Sequence, residues 1–93
     1  MPEKEMTMWT VYILRCRDGT LYTGITDDLP RRLHAHNTGH GAKYTRGRGP
    51  VEQVYRETYP DKPAALRREA AIKKMSRSQK LALCGPLGQK PKP

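Results

Sequence analysis

The sequence predicts an α+β domain, a small three-stranded antiparallel sheet flanked by helices in the order ββα-loop-βαα. Three observations carry this. Two runs rich in β-branched and aromatic residues flank a turn signal, Arg17-Asp18-Gly19. Three stretches of helical composition each begin at a residue able to cap a helix: Asp27 or Asp28, then Asp61, then Ser76. Between the first helix and the third strand, Gly39, Gly41, Gly47, Gly49 and Pro50 hold the chain in a long loop.

Residues 9–16 (WTVYILRC) form the first expected strand and residues 21–25 the returning one. Their register decides whether Tyr12 and Tyr22 can cooperate. A two-residue Asp18-Gly19 loop pairs Arg17 with Thr20, sets Tyr12 opposite Ile25 and separates the two rings. A three-residue loop with Gly19 in the left-handed region as a bulge pairs Cys16 with Thr20. Leu14 then faces Tyr22, Tyr12 faces Gly24, and both rings project from one face. Gly24 adds no side chain there, which leaves room beside Tyr12 for a ligand.

The first helix runs to about Asn37, with Pro30 tolerated in its first turn. Leu29, Leu33 and His36 fall on one stripe, with Arg32 at its edge, four residues before His36. A histidine on an apolar stripe is ordinarily a hydrogen-bonded core residue, so His36 by itself says little. Residues 51–59 form the third strand, and the second helix runs from the Asp61 cap to about Met75. On that helix Ala65, Leu66, Ala70 and Ile72 form the expected apolar arc. Glu69 stands in its middle, with Arg67, Arg68 and Lys74 on the opposite side. An inward acid needs a cation: an arginine in a salt bridge or a divalent metal both serve, and the helix pattern leaves the two open. A third short helix follows Ser76 and stops at Gly85-Pro86.

Composition narrows the partners. The 93 residues suffice for one domain: residues 1–7 as an extension, 8–84 as the folded unit and 85–93 as a disordered basic Pro/Gly tail. Eighteen Lys and Arg against nine Asp and Glu leave a net charge of +9, the footprint of a polyanion binder. No apolar run approaches a membrane span, and residues 1–5 lack the apolar region of a secretory signal, so a cytoplasmic protein with no membrane partner is expected. Cys16 and Cys84 are too isolated for a zinc site or a disulfide framework and read as two small buried or half-buried thiols. Nothing in the sequence sets an oligomeric state.

Taken in order, Thr10-Val11-Tyr12, Tyr22-Thr23-Gly24, Arg32, His36-Asn37, the block from Gly41 to Pro50 and Ala65-Leu66-Arg67-Arg68-Glu69 resemble the GIY-YIG nuclease domain. That domain occurs in phage homing endonucleases and the excision-repair incision subunit. The Gly41–Pro50 block resembles more closely the small stand-alone bacterial proteins of the YhbQ-like group and the nuclease subunit of the eukaryotic structure-specific resolvase. The resemblance spans about residues 8–83 and departs at Thr10, where the name-giving motif carries glycine.

The resemblance implies a metal-dependent nuclease that hydrolyses DNA phosphodiester bonds in repair or recombination. Branched or single-stranded DNA falls within its range, and RNA is not excluded. It implies Glu69 as the ligand of one Mg2+ or Mn2+, and Arg32 as the phosphate's partner. Tyr12 would orient or deprotonate the attacking water, Tyr22 would bind the water network or phosphate, and His36 would bond a tyrosine hydroxyl or take its proton. Lys43, Tyr44, Arg46 and Arg48, with Gly24, would contact the nucleic acid, since basic residues around an aromatic in a glycine-rich loop suit a phosphate track. The competing reading is a catalytically silent nucleic-acid-binding module of the same fold; a basic accessory subunit of a larger assembly is a weaker third.

Overall fold

The computed structural model describes residues 8–85. The expected extension at 1–7 and all of the expected tail except Gly85 lie outside the described residues. Three strands, β1 (Trp9–Arg15), β2 (Leu21–Thr26) and β3 (Glu52–Tyr59), form one antiparallel sheet in the order β2-β1-β3. Three helices accompany it: α1 (Leu29–Asn37), α2 (Lys62–Lys73) and α3 (Arg77–Cys84). The α+β architecture and element order are those the sequence predicts.

β1 is central and covered on both faces, which is why six of its seven residues are buried. On one face Val11, Ile13 and Val54 pack with Ala65, Ile72 and Cys84 of α2 and α3. On the other, Tyr12, Leu14 and Cys16 pack with Leu29 of α1 and Val51. Both cysteines are free and buried. β3 carries one extra residue opposite the Ile13–Leu14 step, so Val54 bulges against β1.

Local chemistry sets the boundaries. The β1–β2 turn is the three-residue, bulged form: the Cys16 amide donates to the Thr20 carbonyl at 2.8 Å, and Gly19 takes φ +86°. Asp28, Asp61 and Ser76 cap the three helices by accepting from the backbone N–H groups of Arg31, Ala64 and Gln79. Gln79 returns the bond to Ser76 and completes a capping box. Gly85 closes α3 at φ +68°. The 38–51 connection contains a single 3-10 turn, Lys43–Thr45. It is tied to the body by Asn37, whose amide accepts from Val51 N–H at 2.7 Å and donates to the Val51 carbonyl at 3.3 Å.

One expectation fails on α2. Leu66 and Ala70 are exposed, and Arg68 faces the sheet instead of lying opposite it. The inward stripe is Ala65, Arg68, Glu69 and Ile72, spaced i, i+3, i+4, i+7. The cause is a partner on β3: Glu57 receives the Arg68 guanidinium at 2.9 and 3.0 Å. Tyr55 and Tyr59 donate their hydroxyls to the same carboxylate. Burial alone would raise the Glu57 carboxyl, but the hydrogen bonds from Arg68, Tyr55 and Tyr59 outweigh it and lower it to about 2. This cluster fixes the rotation of α2 and with it the direction of the next residue, Glu69.

Candidate active site

The bulged hairpin brings the tyrosines together as expected: Tyr12 pairs with Gly24, Leu14 with Tyr22, and the two rings lie 6.3 Å apart. The missing side chain of Gly24 serves the phenol of Tyr12 itself. A Cβ there would meet the Tyr12 hydroxyl oxygen at 2.6 Å, so the room expected for a ligand is already filled.

α1 delivers the next two groups to the same face. His36 is 2% exposed, and its Nε2 lies 3.1 Å from the Tyr12 hydroxyl; its ring also stands 5.2 Å from that of Tyr22. Burial, then the nearby positive charge of Arg32, lowers its pKa, so His36 is a neutral imidazole at pH 7. The Arg32 guanidinium lies against the hydroxyls of Tyr12 and Tyr22, which hold it firmly protonated. Tyr12 is 1% exposed, and burial raises its pKa against the opposing pull of Arg32. At rest the pair is therefore phenol and neutral imidazole.

Glu69 approaches from α2, on the other side of the sheet, closely enough for its charge to act on Tyr12. Its side chain is 17% exposed, and Oε2 is met by the Lys73 ammonium at 3.2 Å. The salt-bridge partner of this acid is thus a lysine one turn on and not the arginine expected, since Arg68 pairs with Glu57. Among the described residues no three His, Cys, Asp or Glu side chains cluster as metal ligands. A lone carboxylate suits a hard cation that keeps most of its water, such as Mg2+, and does not suit zinc.

The loop residues divide. Tyr44 stacks near Tyr22 with ring centres 5.9 Å apart, and the Arg48 guanidinium covers the Tyr44 ring at 4.6 Å while pairing with Asp18. These two residues brace Tyr22. Lys43 and Arg46 are exposed on the same loop. A cavity of about 330 Å3 between Tyr22, Tyr44, Lys73 and Lys80 leads along β2.

Three residues of the site escape the sequence reading. Thr45 is 1% exposed and meets His36 Nδ1 at 2.8 Å. Gly41 passes so close that a Cβ would stand 2.3 Å from His36 Nδ1. Lys73 partners Glu69. Only Lys73 carries a sequence signal, the i,i+4 spacing from an acid on a helix.

Comparison with known proteins identifies the family and the fold. Residues 8–82 match the family model described as the GIY-YIG catalytic domain. UPF0213 protein CPE1444 of Clostridium perfringens is 59% identical over 73 residues, 78% of each chain. UPF0213 protein VNG_2274C of Halobacterium salinarum is 54% identical over 76 residues, covering 82% of this chain and 99% of its own. The solution NMR structure of UPF0213 protein BH0048 from Bacillus halodurans superimposes with a TM-score of 0.56 at 44% identity, covering 89% of this chain and 94% of that one. With residues 8–82 matched to that family model and relatives of this identity over most of its length, the chain belongs to the GIY-YIG catalytic domain family.

Proposed function

We propose that this protein is a metal-dependent nuclease that hydrolyses DNA phosphodiester bonds, with a role in repair or recombination. One observation carries the reading: the Tyr12 hydroxyl stands 3.1 Å from a neutral His36 while Arg32 lies against it and the charge of Glu69 reaches it. A binding module gains nothing from a carboxylate held beside phosphates. A hydrolase needs one there to gather positive charge at the scissile group.

Arg32 turns from the tyrosine hydroxyls to the phosphate, pairs with its oxygens and uncovers Tyr12. The Tyr12 oxygen takes a proton from the attacking water as its own proton passes to His36 Nε2, so no free phenolate is needed. Tyr22, braced by Tyr44, holds the phosphate or its water. Glu69 would hold Mg2+ or Mn2+, which supplies Lewis-acid stabilisation of the charge developing on phosphate oxygens. Lys73, already at Glu69, lies toward the cavity along β2, where it and Lys80 can follow the strand's phosphates.

The test is cleavage of end-labelled single-stranded, duplex and branched DNA by the purified protein. The reading expects products with Mg2+ or Mn2+ and none with a chelator. Salt-sensitive binding without products under any of these conditions would support the silent module instead.

A further inference from the structure

The direction of the proton transfer depends on which nitrogen of His36 carries its hydrogen, and the loop settles this. The Thr45 hydroxyl lies 2.9 Å from the Ala42 carbonyl and 2.8 Å from His36 Nδ1. A hydroxyl has one hydrogen to donate. The Ala42 carbonyl can only accept, so the hydroxyl gives its hydrogen there and faces Nδ1 as an acceptor. Nδ1 must then carry the imidazole hydrogen, which leaves the Nε2 lone pair for the Tyr12 hydroxyl. The chain of bonds runs Tyr12 O–H to His36 Nε2, His36 Nδ1–H to Thr45 Oγ1, and Thr45 O–H to the Ala42 carbonyl.

We infer that Thr45 is a positioning residue that holds His36 in the Nδ1–H tautomer and so makes Nε2 the acceptor of the Tyr12 proton; this rests on the nuclease reading above. In the reaction the Tyr12 O–H bond breaks and an Nε2–H bond forms. The resulting imidazolium keeps its Nδ1–H bond to Thr45 Oγ1, so the same oxygen stabilises the charge that appears. In the opposite tautomer Nε2–H would donate to the Tyr12 oxygen, and His36 could take nothing from it. The fold supports one arrangement: all three side chains are at most 2% exposed, and Gly41 presses the loop onto the imidazole.

The experiment is long-range 1H–15N correlation NMR of the 15N-histidine-labelled protein, with Thr45→Val and Thr45→Ser beside it. His36 is the one buried histidine among His34, His36 and His40, so its signals separate by resistance to titration. The wild type should show the hydrogen on Nδ1. Thr45→Val removes the acceptor and should shift His36 toward Nε2–H, slow cleavage on the order of 10–100-fold and leave affinity for a labelled oligonucleotide unchanged. Thr45→Ser should restore tautomer and rate. A wild-type His36 carrying its hydrogen on Nε2 overturns the inference, as does Thr45→Val retaining Nδ1–H and full activity or losing affinity in place of rate. If Thr45→Val fails to fold, the wild-type tautomer decides. That measurement needs no cleavage, so it fails separately from the nuclease reading.

Discussion

Replacing Glu57 with glutamine should cost this protein about 3 kcal/mol at neutral pH. The carboxylate receives the Arg68 guanidinium through Nε and Nη2 and the hydroxyls of Tyr55 and Tyr59, and its side chain is 18% exposed. Its carboxyl lies at about 2 in the fold against an ordinary 4.5. That displacement corresponds to roughly 3 kcal/mol held by the ionised form. Glutamine keeps the shape but turns an amide donor toward groups that themselves donate. Because the folded carboxyl is depressed, its stabilisation is complete above about pH 4.5 and is lost as pH falls through about 2, with roughly half gone at pH 3. Urea unfolding of the wild type and Glu57→Gln at pH 7 and pH 3 should show the gap between them narrowing by that amount. The melting temperature at pH 7 should drop by roughly 10–20 °C for a domain of this size. Equal stabilities at pH 7, or a gap that does not change with pH, would refute a cluster that anchors α2.

Three further outcomes follow from the loop and the hairpin. Lys43→Ala and Arg46→Ala should weaken DNA binding for all sequences and flatten its dependence on salt, read by fluorescence anisotropy at several ionic strengths, without lowering the melting temperature. Arg48→Ala should lower the melting temperature as well, because Arg48 is spent on Tyr44 and Asp18. Gly24→Ala places a Cβ where the Tyr12 hydroxyl stands, so it should cost about 1–3 kcal/mol in urea unfolding and displace Tyr12 from His36.

What the sequence made legible was local. Asp18-Gly19 marked the turn but left two registers open; a shared tyrosine site required the bulged one, which is the register that puts Tyr12 and Tyr22 on one face. Caps at Asp28, Asp61 and Ser76 marked the helices, and the four-residue step from Arg32 to His36 put both on one face of α1. The face of α2 was not legible, because alanines at 64, 65, 70 and 71 give a helix no clear apolar side. Its rotation is chosen by Glu57, which arrives from another strand. Thr45 was invisible for a similar reason: nothing near it in sequence says that a glycine-rich loop folds back onto an imidazole nine residues earlier. The basic loop read as one nucleic-acid surface, yet Tyr44 and Arg48 are engaged at the surface in bracing Tyr22.

Glu69→Ala tests the central claim most directly, through cleavage, oligonucleotide binding and thermal unfolding of one variant. The change leaves Lys73 in water, 54% exposed, so stability should move by less than about 1 kcal/mol. Removing a negative charge beside the phosphates should leave binding intact or tighten it. Cleavage with Mg2+ or Mn2+ should be abolished, because the carboxylate proposed to hold the metal is gone. A folded Glu69→Ala protein that cuts DNA with magnesium at the wild-type rate would contradict the account.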